Sequence, residues 1–185
     1  MTSESIELVW AELRLLPSPP RGLAERISKA VQLYPCAILF VHRDAEREDL
    51  ETRVREIAAA AHPSVPHVPI VPVRMQEAWL LHDETALRQA AGRPKGSAIL
   101  RLPLVNRIES LPDPKHTLHE ALRIASEAKG RRANSFRPSQ AAHRLADLIA
   151  DWSPLRSLPA FKRLEADTYT ALQALDFPLC GPPAP

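Results

Sequence analysis

The sequence predicts an α/β fold: a small, mainly parallel sheet flanked by helices, continued by a mostly helical C-terminal half. Three observations carry this expectation. Short apolar runs alternate with helix-period segments through residues 1–91, the order that builds parallel sheets. The run 36–41 (CAILFV) is apolar throughout, as in a strand buried on both faces. Three further segments of helical periodicity occupy residues 92–185. At 185 residues the chain suits one domain, with 1–91 as the α/β layer and 92–185 as a helical extension.

The elements follow in order. Residues 6–13 (IELVWAEL) mix apolar and acidic side chains and read as a short strand, after which Pro17, Pro19 and Pro20 enforce an extended connection. Residues 23–34 place Leu23, Ile27, Ala30, Val31 and Tyr34 at three-to-four spacing, an amphipathic helix stopped by Pro35. The strand 36–41 comes next, then a helix over 49–61 that ends before His62-Pro63. Residues 65–73 are β-branched and apolar, but Pro66, Pro69 and Pro72 remove ladder donors and make this an edge strand or an extended segment. Together these runs imply a sheet of three or more strands whose carboxyl edge is its functional end.

Residues 76–91 form one or two helices, with Asp83 capping the second and Gly92 stopping it. A Pro-interrupted connection over 93–114 leads to helices at 115–128, 138–151 and 161–175. The tail GPPAP (181–185) is expected to be disordered.

Composition narrows the function classes. Glycine is scarce, standing only at 22, 92, 96, 130 and 181. No pair has the spacing of a G-x-G-x-x-G dinucleotide turn or a G-x-x-x-x-G-K phosphate loop, which excludes the two commonest nucleotide cradles. No serine lies in a G-x-S-x-G setting. Cys36 and Cys180 lack C-x-x-C spacing, and Cys36, inside an apolar run, reads as a buried free thiol. With no apolar stretch near the roughly 20 residues of a membrane span, the expected location is cytoplasmic and no membrane partner is expected.

The net charge of +2 is small, but its distribution is uneven. Residues 44–56 carry six acids against three arginines, whereas 123–144 carry six Lys or Arg against Glu127 alone. An acidic cluster able to hold a divalent cation, beside a basic one able to hold phosphates, suits phosphate-ester chemistry; two solvated helix faces are the plainer reading. Within the basic segment, Arg131, Arg132, Arg137 and Arg144 are the candidate nucleic-acid contacts.

Three motifs could carry chemistry. Asp44 and Glu46, at i and i+2 after the strand 36–41, offer the hard oxygen ligands that Mg²⁺ requires, though acids also routinely open a following helix. Arg74 and Glu77 stand where the next extended segment meets a helix. There Glu77 would complete the metal site or act as a base while Arg74 holds phosphate; an Arg74–Glu77 pair beside a core Trp79 is the structural alternative. Asp113-Pro114-Lys115 is a good helix start, with Lys115 within reach of a phosphate. His116 and His119 share a helix face but have no third ligand at zinc spacing.

Taken in order, ILFVHRDAER (38–47), VPVRMQEAWLLHDE (71–84), LPDPKHTLHEAL (111–122) and AHRLADLI (142–149) resemble domain-of-unknown-function family 4276, which is grouped with the TOPRIM-like proteins. The most specific element is the E-A-W-L-L run at 77–81, followed about thirty residues later by D-P-K. The resemblance implies a TOPRIM-like core in which acids after the strands bind Mg²⁺ for phosphodiester cleavage or transfer. Asp44 and Glu46 match its D-x-D position, with Glu in place of the second Asp. Members begin with a strand and an acidic turn similar to E-G-x-S/T-D/E. This chain has no such segment, and MTSESIELVWAELRLLP looks like the second strand of the pattern.

The expectation is therefore a Mg²⁺-dependent, nuclease-like phosphodiester-processing protein. Asp44, Glu46 and Glu77 would serve at the metal, and Arg74 and Lys115 at phosphate. The resemblance further implies a prokaryotic defence or mobile-element setting with an ATPase partner protein. The alternative is a non-catalytic module of the same fold that binds a protein or nucleic acid through its basic helical half.

Overall fold

In the computed structural model, residues 6–177 are described. Cys180 and the tail 181–185 lie outside them. The fold is α/β but dominated by helices: a two-stranded parallel sheet, seven α-helices and four short 3-10 segments among the described residues.

Helix α1 (Leu23–Leu33) precedes strand β1 (Leu39–His42), and α2 (Leu50–Ala60) connects it to strand β2 (His67–Ile70). The strands pair in parallel, Leu39 opposite His67 and His42 opposite Ile70. A 3-10 segment, Gln76–His82, then leads into α3 (Glu84–Ala90). Helices α4 (Pro114–Ser126), α5 (Arg131–Ser135), α6 (Pro138–Leu148) and α7 (Pro159–Gln173) complete the chain.

Capping explains several boundaries. Asp49 opens α2 by accepting from the Thr52 N–H at 2.8 Å, and Asp83 opens α3 by accepting from Ala86 N–H at 2.9 Å. Asp113 accepts from His116 N–H at 2.8 Å, with Pro114 at the first position of α4 where its missing N–H costs nothing.

The sheet departs from expectation in three ways. Residues 6–13 do not form a strand; they run as irregular chain into a 3-10 turn at Leu13–Leu15. Their apolar side chains face solvent, Trp10 at 77% exposure, because interleaved Glu7 and Glu12 leave no apolar face wide enough to bury and no sheet edge pairs with them. The sheet accordingly holds two strands rather than three or more among the described residues. Strand β1 starts three residues later than the apolar run, so Cys36 sits in the irregular link after Pro35 and is exposed rather than buried. Within β1 only Val41 is buried, and Phe40 faces outward, so one face of the strand is covered instead of both.

The prolines of the second strand are accommodated by direction. Leu39 N–H donates to Pro66 O at 2.9 Å and Ala45 N–H to Pro72 O at 2.9 Å, so these prolines supply acceptors, the one ladder role their backbone keeps.

Buried apolar side chains form two clusters. The smaller, with Ile27, Val41, Val54, Ile57 and Val71, fills the space between the sheet, α1 and α2. The larger joins Trp79–Leu81 of the 3-10 segment to α3, α4, α6 and α7, and Leu50 packs against both clusters. Trp79 meets Phe161 of α7 edge to face at 5.4 Å. Helix α4 lies at the centre of the larger cluster: Leu118, Leu122 and Ala125 are each 0% exposed, packed toward the 3-10 segment, α3 and α6.

Leu122→Ala is expected to destabilise the protein by about 2–5 kcal/mol, since a fully enclosed site at a three-way helix junction cannot collapse around the lost methyls. Urea denaturation checks this, and a loss below about 1 kcal/mol would show that α4 is not packed as described.

Candidate functional site

The carboxyl ends of both strands lie at one edge. The pairing continues past the strands through Arg43 N–H to Ile70 O at 3.0 Å and Glu46 N–H to Arg74 O at 3.1 Å. Both Glu46 (φ 56°) and Arg74 (φ 67°) occupy the left-handed region, where a side chain costs about 1–2 kcal/mol relative to the right-handed one. In this glycine-poor chain, non-glycine residues make these turns, and Arg101, Glu127 and Asp176 do the same elsewhere.

Asp44 ties the two ends together. Its Oδ1 accepts from Gln76 N–H at 3.0 Å and lies 3.3 Å from His42 Nε2. Glu77, the next residue, faces Lys115 of α4 with Oε1 3.9 Å from Nζ. Trp79 is core, as the structural alternative had it, but the partner of Glu77 is Lys115 rather than Arg74. The fold thus gathers the segments bearing Asp44, Glu46, Arg74, Glu77 and Lys115. Glu46 and Arg74 point into solvent. Among the described residues, no group of three or more His, Cys, Asp or Glu side chains is placed to hold a metal ion.

A second site lies at the far end of α4. The helix stops where Glu127 turns left-handed (φ 49°), and Gly130 (φ 54°) redirects the chain into α5. The Glu127 carboxylate is committed inward: Oε1 accepts from Ser97 N–H at 2.6 Å and Ala98 N–H at 2.8 Å. Arg88 of α3 holds the same loop through Nη2 to Ala98 O at 2.7 Å. Gly96 leaves room there, since a Cβ would sit 3.1 Å from Arg93 O and from Glu127 Oε1, so a side chain would require these neighbours to shift by a few tenths of an ångström. From α6, Arg144 donates through Nη2 to Ala90 O at 2.8 Å, a cation placed at the C-terminal end of α3.

These contacts frame a continuous open groove. One part, about 510 Å³, is lined by Arg93, Arg132, Arg137, Arg144, Phe136 and Gln140 among others. The adjoining part, about 810 Å³, adds Arg123, Lys129, Ser97 and Ile124 and shares Arg93, Ala128 and Arg132 with the first. Six cationic side chains thus face one carboxylate, that of Glu127.

Of the predicted nucleic-acid contacts, Arg132, Arg137 and Arg144 come together in this groove, while Arg131 does not line it. Arg93, Arg123 and Lys129 were not singled out. The charge run 123–144 contains the last two, whereas Arg93 comes from the end of α3, some thirty residues away, where its N–H donates to Arg88 O at 2.8 Å.

No protein-family model matches the chain, and neither a curated protein nor a solved structure matches it. Among the described residues no helix is long and apolar enough to cross a membrane.

The hydrogen bonds from Ala98 and Ser97 hold the Glu127 carboxyl below its ordinary value of 4.5. A depressed carboxylate stabilises the fold above its unfolded value and loses that contribution as pH falls through the folded value. Glu127→Ala is therefore expected to speed hydrogen exchange at the Ser97 and Ala98 amides at neutral pH, and wild type to lose the same protection only in acid. Unchanged protection in the variant would remove Glu127 as the anchor.

Proposed function

We propose that the chain binds nucleic acid through its basic helical half, engaging the phosphate backbone in the groove between the ends of α3 and α4 and helices α5 and α6. The observation that carries this reading is the groove's charge: six Lys or Arg side chains converge from four segments, the one carboxylate lining the groove is satisfied by backbone N–H groups, and Glu120 offsets Arg123 from outside it. Phosphate binding needs this arrangement, because contacts to the backbone are electrostatic and independent of sequence. Arginine's fork suits phosphate oxygens, and four of the six are arginines already in the first part of the groove.

The expected result is binding of short oligonucleotides that weakens about tenfold in a double variant, Arg93→Gln with Arg132→Gln, with the slope of log K against log salt reduced by roughly 1–2. Fluorescence anisotropy measures both. Equal binding by wild type and variant would overturn the proposal.

A second reading follows the resemblance to the TOPRIM-like family and makes the sheet edge a Mg²⁺-dependent phosphodiester site. One observation favours it: Glu46 and Arg74, two of the candidate residues, adjoin in strained left-handed conformations, which tend to collect at functional sites. The donor set is chemically right for Mg²⁺, but its arrangement does not fit the ion, because Asp44 Oδ1 is taken by Gln76 N–H and Glu46 faces solvent. Asp44→Ala is expected to leave oligonucleotide affinity within about twofold, since no phosphate contact is lost. Strand cleavage in millimolar Mg²⁺ that disappears in Asp44→Ala would instead establish the second reading.

A further inference from the structure

We infer that the ligand of the basic groove is single-stranded nucleic acid, and that its strand continues from the groove along the flank of α4 marked by Arg123 and Lys115 to Glu77 at the sheet edge. This inference rests on the groove reading and adds the form of the ligand and its path.

The path is set by the helix. Lys115, His119 and Arg123 stand at i, i+4 and i+8 of α4, a stripe that borders the buried face of Leu118 and Leu122, with Lys115 and Arg123 exposed and His119 half-buried between them. Arg123 lines the groove, and Lys115 lies against Glu77 at the other end. His119 sits between them, and its partial burial, with the neighbouring Lys115 and Arg123 charges, holds its imidazole below the ordinary value. At about 1.5 Å per residue, Lys115 and Arg123 are roughly 12 Å apart along the axis, the length of three to four stacked nucleotides.

The carboxylates on this route give way easily. Glu120 pairs with Arg123, and Glu77 with Lys115 at 3.9 Å, the Lys115 side chain being 56% exposed. The Arg123–Glu120 pair is exposed on both sides and the Lys115–Glu77 pair is long, with Glu77 only 25% exposed; pairs of this kind contribute little, so a phosphate can compete for either cation.

The groove's shape selects the strand form. Its two adjoining parts, about 510 and 810 Å³, each have the volume of a small-ligand cleft. Phe136 is half-buried in the wall beside Arg132, Arg137 and Arg144, and Ile124 is 43% exposed beside Arg123. Phe136 also packs on the larger core, so the part of its ring that lines the groove is rigidly held, and an aromatic side chain among cations is the combination on which unpaired bases stack while their phosphates are neutralised.

The test uses the full chain and labelled oligothymidylates of about three and twelve nucleotides, a duplex of about twelve base pairs, and poly-glutamate as competitor. The expected result is at least about tenfold tighter binding of the longer strand than of the duplex. Lys115→Gln is expected to weaken the longer strand about threefold and leave the shorter one unchanged. Because Lys115 is largely exposed, the variant folds, and its thermal unfolding verifies this. Duplex binding as tight as the single strand, no effect of Lys115→Gln on the longer strand, or displacement by poly-glutamate at matched charge would each overturn the inference. If duplex bound equally and still depended on Arg93 and Arg132, the path alone would fall; if no nucleic acid bound, the groove reading would fall with it.

Discussion

The burial of one face of α4 is the constraint on which the rest of the structure depends. Leu118, Leu122 and Ala125 are wholly enclosed, and the Trp79–Leu81 segment, α3 and α6 all close on them. Each buried leucine contributes roughly 1.5–3 kcal/mol relative to exposure, enough to fix the helix among its neighbours. Because the inward face is so fixed, both ends are fixed too. At the start, Asp113 and Pro114 set the first turn and bring Lys115 against Glu77. At the end, Glu127 turns left-handed and its carboxylate gathers the loop over residues 93–98. The groove's cations are held apart at close range, against their mutual repulsion, by this frame.

The sheet is a smaller structure that borrows support. Two parallel strands of four residues cannot stand alone in water, and this pair is covered by α1 and α2 on one side and by α7 packed on β2. Its carboxyl edge is tied by backbone and by Asp44, not by glycine turns. Glycine scarcity therefore has a structural consequence: left-handed positions fall on Glu46, Arg74 and Glu127, whose side chains then project at the two candidate sites. The strain is offset by the contacts these residues make, above all the two amides bound by Glu127.

Local chemistry made much of this legible in the sequence. Pro35, Asp83, Gly92 and Asp113-Pro114 mark boundaries where the structure has them, because capping and proline act within a few residues. Residues 6–13 misled because alternation alone does not provide a partner strand, and Cys36 misled because an apolar run does not say where pairing begins. The same division holds for the sites. The basic run 123–144 announced Arg132, Arg137 and Arg144, but Arg93 sits at the end of α3, in a loop whose Ser97 and Ala98 N–H groups donate to Glu127, a long-range contact that no spacing reveals. The juxtaposition of Asp44 with Gln76 followed from parallel strand order, whereas the Lys115–Glu77 contact depended on how α4 docks.

The central claim is that the basic groove, and not the acids at 44 and 46, anchors nucleic acid on this protein. Titrating isotope-labelled protein with a short single-stranded oligonucleotide and following its amide resonances tests this most directly. The account predicts that the first and largest shifts fall on Arg93, Ser97, Ala98, Arg123 and the stretch from Ala128 to Arg132, with those near Asp44 and Glu46 small. Shifts centred on residues 44–46 and 74–77, with the groove unmoved, would contradict it.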